Sequence, residues 1–154
     1  MFEHPRDRRL GWAARVLLML AAAGLAGILG LARALTPNPL GYGTHTQLGL
    51  APCDYARLTG NLCPTCGMTT AYAWFVRGKI DRSWRANAAG CLFALVSIPL
   101  IVWLVASAAR AEPVGFRSLV CPSIGLFLTG AALIAASWLI RCAASPTAQS
   151  AAGP

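Results

Sequence analysis

Three long apolar runs constrain this chain more than any other feature. Residues 10–35 are rich in Ala, Leu and Gly and carry charge only at Arg15 and Arg33, near the ends. Residues 87–109 and 119–140 form two comparable runs. A helix needs about 20 residues to cross the hydrocarbon core of a bilayer. Composition agrees, because charged residues make up only 12% of the chain, about half the share usual in a soluble domain. The runs predict an all-α, polytopic integral membrane protein with three clear transmembrane helices. At 154 residues there is room for one such domain and no second core.

Charge placement then points to a partner. Thirteen Lys and Arg against five Asp and Glu leave a net charge of +8. A soluble protein this basic would be a nucleic-acid candidate. Here the basic residues flank apolar runs instead of lining a stripe with interleaved aromatics. Flanking Arg holds a helix at an anionic membrane surface. The expected partner is the lipid bilayer and not nucleic acid. The expected location is a bacterial inner membrane, crossed several times, with a cytoplasmic N-terminus. Residues 10–35 exceed the apolar core of a cleaved signal, about 7–15 residues, so they read as an uncleaved anchor.

Between the runs, Pro37, Pro39, Gly41, Gly43, Pro52, Gly60 and Pro64 predict a loop with turns over 36–65 and no helical period. Residues 66–77 read as a short helix closed by Gly78. Asp81 is expected to N-cap one continuous helix over 82–109, kinked at Pro99. Residues 119–141 form the last crossing, followed by a disordered tail over 145–154. Topology depends on whether 66–77 crosses. Without that crossing, six basic residues on the N-terminal side stand against seven on the other. With it, nine stand against four, which the positive-inside rule prefers. The sequence therefore predicts four membrane-embedded segments with both ends cytoplasmic.

The chemistry concentrates in Cys63-Pro64-Thr65-Cys66-Gly67-Met68-Thr69-Thr70, with His45 and Cys53 upstream. Cys66 is expected near a helix start, where unpaired N–H groups favour a thiolate. Thr69, Thr70 and Arg77 fall on the same helical face as Cys66. Such a polar stripe must face protein or water, not lipid. Asn87 is expected either to contact a neighbouring helix or to start its own.

Three chemistries fit these residues, and the residues alone leave all three open. His45, Cys53, Cys63 and Cys66 supply three sulfurs and one nitrogen, a set suited to tetrahedral zinc, with Cys121 an alternative fourth ligand. Cys63 and Cys66 also suit a thiol–disulfide site on an oxidising face. The bland reading is a structural disulfide or buried thiols. Three function classes follow. The first is a membrane scaffold or accessory protein whose cysteine loop is a structural or metal-stapled docking unit for a protein partner. The second is a membrane thiol oxidoreductase using Cys63 and Cys66. The third, a small transporter or lipid-handling protein, has only the polar stripe behind it. There is no phosphate-cradling glycine loop, no Gly-x-Ser-x-Gly and no His-Glu-x-x-His, so a hydrolase or nucleotide-driven enzyme has no equipment.

Cys63-Pro-x-Cys66-Gly67-x-Thr69 resembles the signature of a small bacterial membrane-protein family, domain of unknown function 2752. Gly41-Tyr-Gly-Thr-His45 and Gln47-Leu-Gly-Leu-x-Pro-Cys53 resemble an upstream block in some members. The resemblance runs from about Gly41 to Gly90 and implies a membrane setting without implying an activity. Many members carry Arg after the motif threonine, where this chain has Thr70. Arg77, two turns later, is the nearest positive charge on that face.

Overall fold

The first apolar run forms α1, Trp12–Ala34, and the second forms α5, Ala88–Arg110. Each has 23 residues, about 35 Å of helix. Helix α1 stops where Pro37 makes further α-backbone unfavourable, with Leu35 already extended. The computed structural model of the chain describes residues 9–112 and 120–144. The expected tail at 145–154 and the N-terminal Arg6 and Arg8 lie outside them.

Helices α1 and α5 pack antiparallel. At one end the Leu10 N–H donates to Ala111 O at 2.7 Å, and Arg15 Nε donates to Ala108 O at 2.8 Å. That guanidinium satisfies a carbonyl left over in the last turn of α5, where a cation is also favoured by the helix dipole. Between the helices, Leu18 and Ala22 meet Leu104 and Ala108, with Leu25, Leu100 and Trp103 packed around them. Other apolar side chains point outward: Leu17, Leu20 and Val102 are 66%, 62% and 65% exposed. Outward apolar faces of this extent mark contact with a membrane or with another protein.

Everything between the two helices folds into a cap on their other end. The cap holds a 3-10 turn at Thr44–Leu48 and three short helices: α2 Asp54–Thr59, α3 Met68–Phe75 and α4 Ile80–Ala86. The loop expected without helical period thus contains helical turns. Its breakers shorten these pieces without abolishing them, and Gly60 closes α2 in the left-handed conformation.

Helix α3 begins and ends at the cap, which corrects the four-segment topology. At its start Asn87 Nδ2 donates to Cys66 O, beside the N-terminus of α5. At its end Arg77 reaches the C-terminus of α1, donating to Ala32 O, Arg33 O and Leu35 O at 3.1, 2.9 and 2.7 Å. Arg77 therefore caps the orphan carbonyls of α1 and stays on the cap side. Eight residues reach only about 12 Å in any case. Without a crossing at α3 the basic residues divide almost evenly, whichever side Arg141 is on, so they give no orientation.

Two further expectations are corrected here. The helix expected over 82–109 is broken at Asn87, whose extended backbone (φ −163°, ψ 111°) separates α4 from α5. Asp81 does not cap: Lys79 occupies the cap position of α4 and Asp81 sits inside its first turn. Asn87 is the capping side chain, accepting the Gly90 N–H at 2.9 Å. Pro99 lies inside α5, which runs on through it.

Helix α6, Val120–Ala144, follows. Three clear crossings were expected, whereas among the described residues two helices, α1 and α5, are long and apolar enough to cross a membrane. Among the described residues, α6 contributes the shorter apolar stretch Leu128–Ile140. Helix α6 packs on α5 with Gly130 against the Phe93 ring. Trp138 Nε1 donates to Leu62 O of the cap at 3.2 Å.

Candidate functional site

Three cysteines from two stretches of the cap, Cys53 from one and the Cys63–Cys66 turn from the other, meet at one point. Cys53 occupies the N-cap position of α2, Cys63 follows that helix, and Cys66 ends the turn that leads into α3. Their sulfur atoms all lie within 4.8 Å of one another, and the Cys63 and Cys66 sulfurs share a hydrogen bond at 3.1 Å. Cys66 is buried while Cys53 and Cys63 are half-buried.

The turn is fixed by backbone and by Asn87. The Cys66 N–H donates to Cys63 O, and the Met68 N–H donates to Thr65 O, both at 3.1 Å. Asn87 Nδ2 donates to Pro64 O at 3.3 Å and Cys66 O at 3.0 Å. Gly67 then turns the chain into α3 with φ +86°. A Cβ there would lie 2.5 Å from Ala86 O and 2.6 Å from Gly41 O. Only glycine can pass between those two carbonyls. Below the turn, fully buried Thr44 and Thr70 share a hydrogen bond at 2.7 Å, and Ser83 Oγ donates to Ala71 O at 2.8 Å. These bonds clamp the upstream loop and α4 onto α3.

The two thiols of the Cys-x-x-Cys pair are driven apart in acidity. Burial raises the pKa of Cys63, but hydrogen bonds to its sulfur from the Thr65 hydroxyl, the Cys66 and Cys53 thiols and the Thr65 backbone outweigh it and bring it down to about 7. Burial pushes the Cys66 thiol up to about 12, aided by its hydrogen bonds to the Cys63 and Cys53 side chains and by the Cys63 charge. This reverses the expectation that Cys66 is the thiolate. Proximity to a helix start is outweighed by burial at Cys66, while the less buried Cys63 sulfur collects the hydrogen bonds that lower its pKa. In the reduced protein, alkylation of Cys63 should therefore rise with pH through a midpoint near 7. Cys66 should stay unmodified over the same range. Mass spectrometry of iodoacetamide-treated protein reads both, and equal labelling of the two would contradict the asymmetry.

The other expected residues divide clearly. His45 lines the same cavity of about 310 Å³ as the three cysteines. Its Nε2, however, is hydrogen-bonded to Ala51 O at 3.2 Å, and it lies outside the tight sulfur group. Thr69 also lines that cavity. Thr70, Arg77 and Asn87 are brought in as structural members: a clamp, a cap on α1, and the pin for the cysteine turn. The polar stripe on α3 thus faces protein, as expected. The side chain of Cys121 lies outside the described residues. Sequence reasoning passed over Thr44, Thr65 and Ser83. Thr65 sits inside the cysteine motif and was legible there, whereas Thr44 and Ser83 carry no local signal that separates them from surface residues.

Residues 53–105 match the family described as protein of unknown function (DUF2752). This is the family that the cysteine motif resembles. The match covers about a third of the chain, from Cys53 through α2, α3 and α4 into α5. The match begins at Cys53, the last residue of the upstream block, so residues 41–52 lie outside it. No curated protein and no solved structure matches the chain.

Proposed function

We propose that this chain is a small accessory protein of the bacterial inner membrane, anchored by α1, α5 and α6, whose cap is stapled by a metal ion on Cys53, Cys63 and Cys66. The observation that carries this reading is the convergence of three sulfurs within 4.8 Å. They join Cys53 to the Cys63–Cys66 turn in a cap with few large buried side chains: its fully buried members are small, Thr44, Thr70, Ala71, Ala73, Ser83 and Asn87. A segment that cannot build a large apolar core gains folding free energy directly from a structural ion. Metal content and free-thiol count on detergent-purified protein test the staple. Near-stoichiometric metal, lost in both Cys53→Ser and Cys63→Ser, is expected. Metal-free protein whose thiols are all freely titratable would overturn it.

A second reading rests on the 3.1 Å Cys63–Cys66 pair and its divided acidity. Cys63, as thiolate, would attack a substrate disulfide and Cys66 would resolve the mixed disulfide, which makes the chain a membrane thiol oxidoreductase. Two thiols that appear only after reduction, with no metal present, would favour it over the staple.

The anchoring has its own test. Support for a third span comes from the 25-residue length of α6 and from the contact of Trp138 with the cap. Three spans leave the two termini on opposite faces. A reporter active on one face only, fused in turn to each end, should report from a single terminus. Signal from both ends would reject the three-span arrangement.

A further inference from the structure

The donor set around the cluster is unusually uniform. The cavity of about 310 Å³ is bordered by the three cysteines, His45, Met68, Thr65, Thr69 and Thr70, and no Asp or Glu lines it. An adjoining cavity of about 560 Å³ shares His45, Cys53 and Cys66 and is also free of carboxylates. The nearest acid in sequence, Asp54, is exposed and paired with Arg57 at 3.1 Å. Hard cations, which favour several oxygen ligands including carboxylates, find no carboxylate here. Three thiols in mutual reach select a soft ion instead.

The number of sulfurs narrows the choice further. Structural zinc closes its shell with four protein ligands. Among the described residues the tight group holds three, and neither ring nitrogen of His45, the fourth ligand expected from sequence, falls within it. A monovalent d10 ion is satisfied by three thiolates in a plane, with no nitrogen required. Access is also provided, because Cys53 and Cys63 are only half-buried and border cavities that meet at the loop.

We infer that the cluster is a trigonal three-sulfur site for monovalent copper, held by Cys53, Cys63 and Cys66 without His45. This rests on the metal-stapled reading above and assigns its ion. Each thiol gives up its proton to solvent as its Cu–S bond forms, and no electron is transferred.

The test is anaerobic titration of reduced, full-length protein in detergent with Cu(I) and, separately, with Zn(II), each against a chromophoric chelator. X-ray absorption on the loaded wild-type protein counts the scatterers. One Cu(I) per chain is expected, with three sulfurs and no nitrogen in its shell. His45→Ala should bind it unchanged, and Cys53→Ser should bind it at least tenfold more weakly. A three-sulfur, one-nitrogen zinc shell, weakened in His45→Ala, would overturn this inference and leave the staple standing. A two-sulfur copper shell unaffected by Cys53→Ser would also overturn it. Absence of binding by either ion would overturn both readings. The wild-type spectrum decides the coordination number even if a cysteine variant fails to fold.

Discussion

Gly67→Ala is expected to prevent the cap from closing. The residue holds φ +86°, a conformation that costs a residue with a Cβ about 1–3 kcal/mol by itself. The added carbon would also stand 2.5 Å from Ala86 O and 2.6 Å from Gly41 O. Both are backbone atoms, so neither can swing aside as the tip of a side chain would. Relief requires moving the α4–α5 junction away from the upstream loop, which separates the elements that bring the three sulfurs together. The variant should accumulate poorly, aggregate at a markedly lower temperature in detergent, and label readily at Cys66. Wild-type thermal behaviour with Cys66 still protected would refute this account. Gly90→Ala is the graded control. Its Cβ would meet Ala71 Cβ at 3.1 Å and Met68 Cα at 3.2 Å, so α3 needs to shift by only a few tenths of an ångström and a milder loss is expected.

Asn87→Ala is expected to be the second most damaging change, costing about 3 kcal/mol. Loss of an N-cap side chain costs about 1 kcal/mol. Leaving buried carbonyls without their donor adds about 1–3 kcal/mol. Asn87 is fully buried and makes both kinds of bond, one to the Gly90 N–H and two to Pro64 O and Cys66 O. Asn87→Asp separates the two roles. It keeps an acceptor for Gly90 but sets a carboxylate against two carbonyl oxygens, so α5 should persist while the cysteine turn loosens. Thermal denaturation together with the alkylation rate of Cys66 distinguishes them. If Cys66 remains as protected in Asn87→Ala as in the wild type, Asn87 does not pin the turn.

These two residues also show where sequence reading stops. Asp81 and Asn87 are both competent caps, and no Gly or Pro separates them, so the pattern favours the earlier of the two. Asn87 prevails because its amide also reaches two carbonyls from a turn more than twenty positions earlier. Arg77 misled in a similar way. Counted as a charge, it belonged with whichever topology gave the larger asymmetry. As a hydrogen-bond donor it belongs to the last turn of α1, and that contact keeps α3 on one side. The cysteine motif was legible as a site, and Cys53 as its third member. Which sulfur is the more acidic was not, because burial of Cys66 depends on how α4 and α5 enclose the turn.

What the sequence determined by itself is the class of element, helices, two of them long and apolar enough to cross a membrane. Apolar runs long enough to span a bilayer, carrying little charge, can satisfy their backbones only as helices, and that holds whatever they pack against. What the tertiary structure decided is the cap: that 36–87 folds onto one end of the α1–α5 pair, that Asn87 divides α4 from α5, and that three sulfurs meet while His45 stays on Ala51. The difference is physical. Transfer of a side chain out of water is a property of each residue and adds along the chain. A hydrogen bond or a shared ion depends on the separation of atoms far apart in sequence, and that separation exists only once the chain has folded.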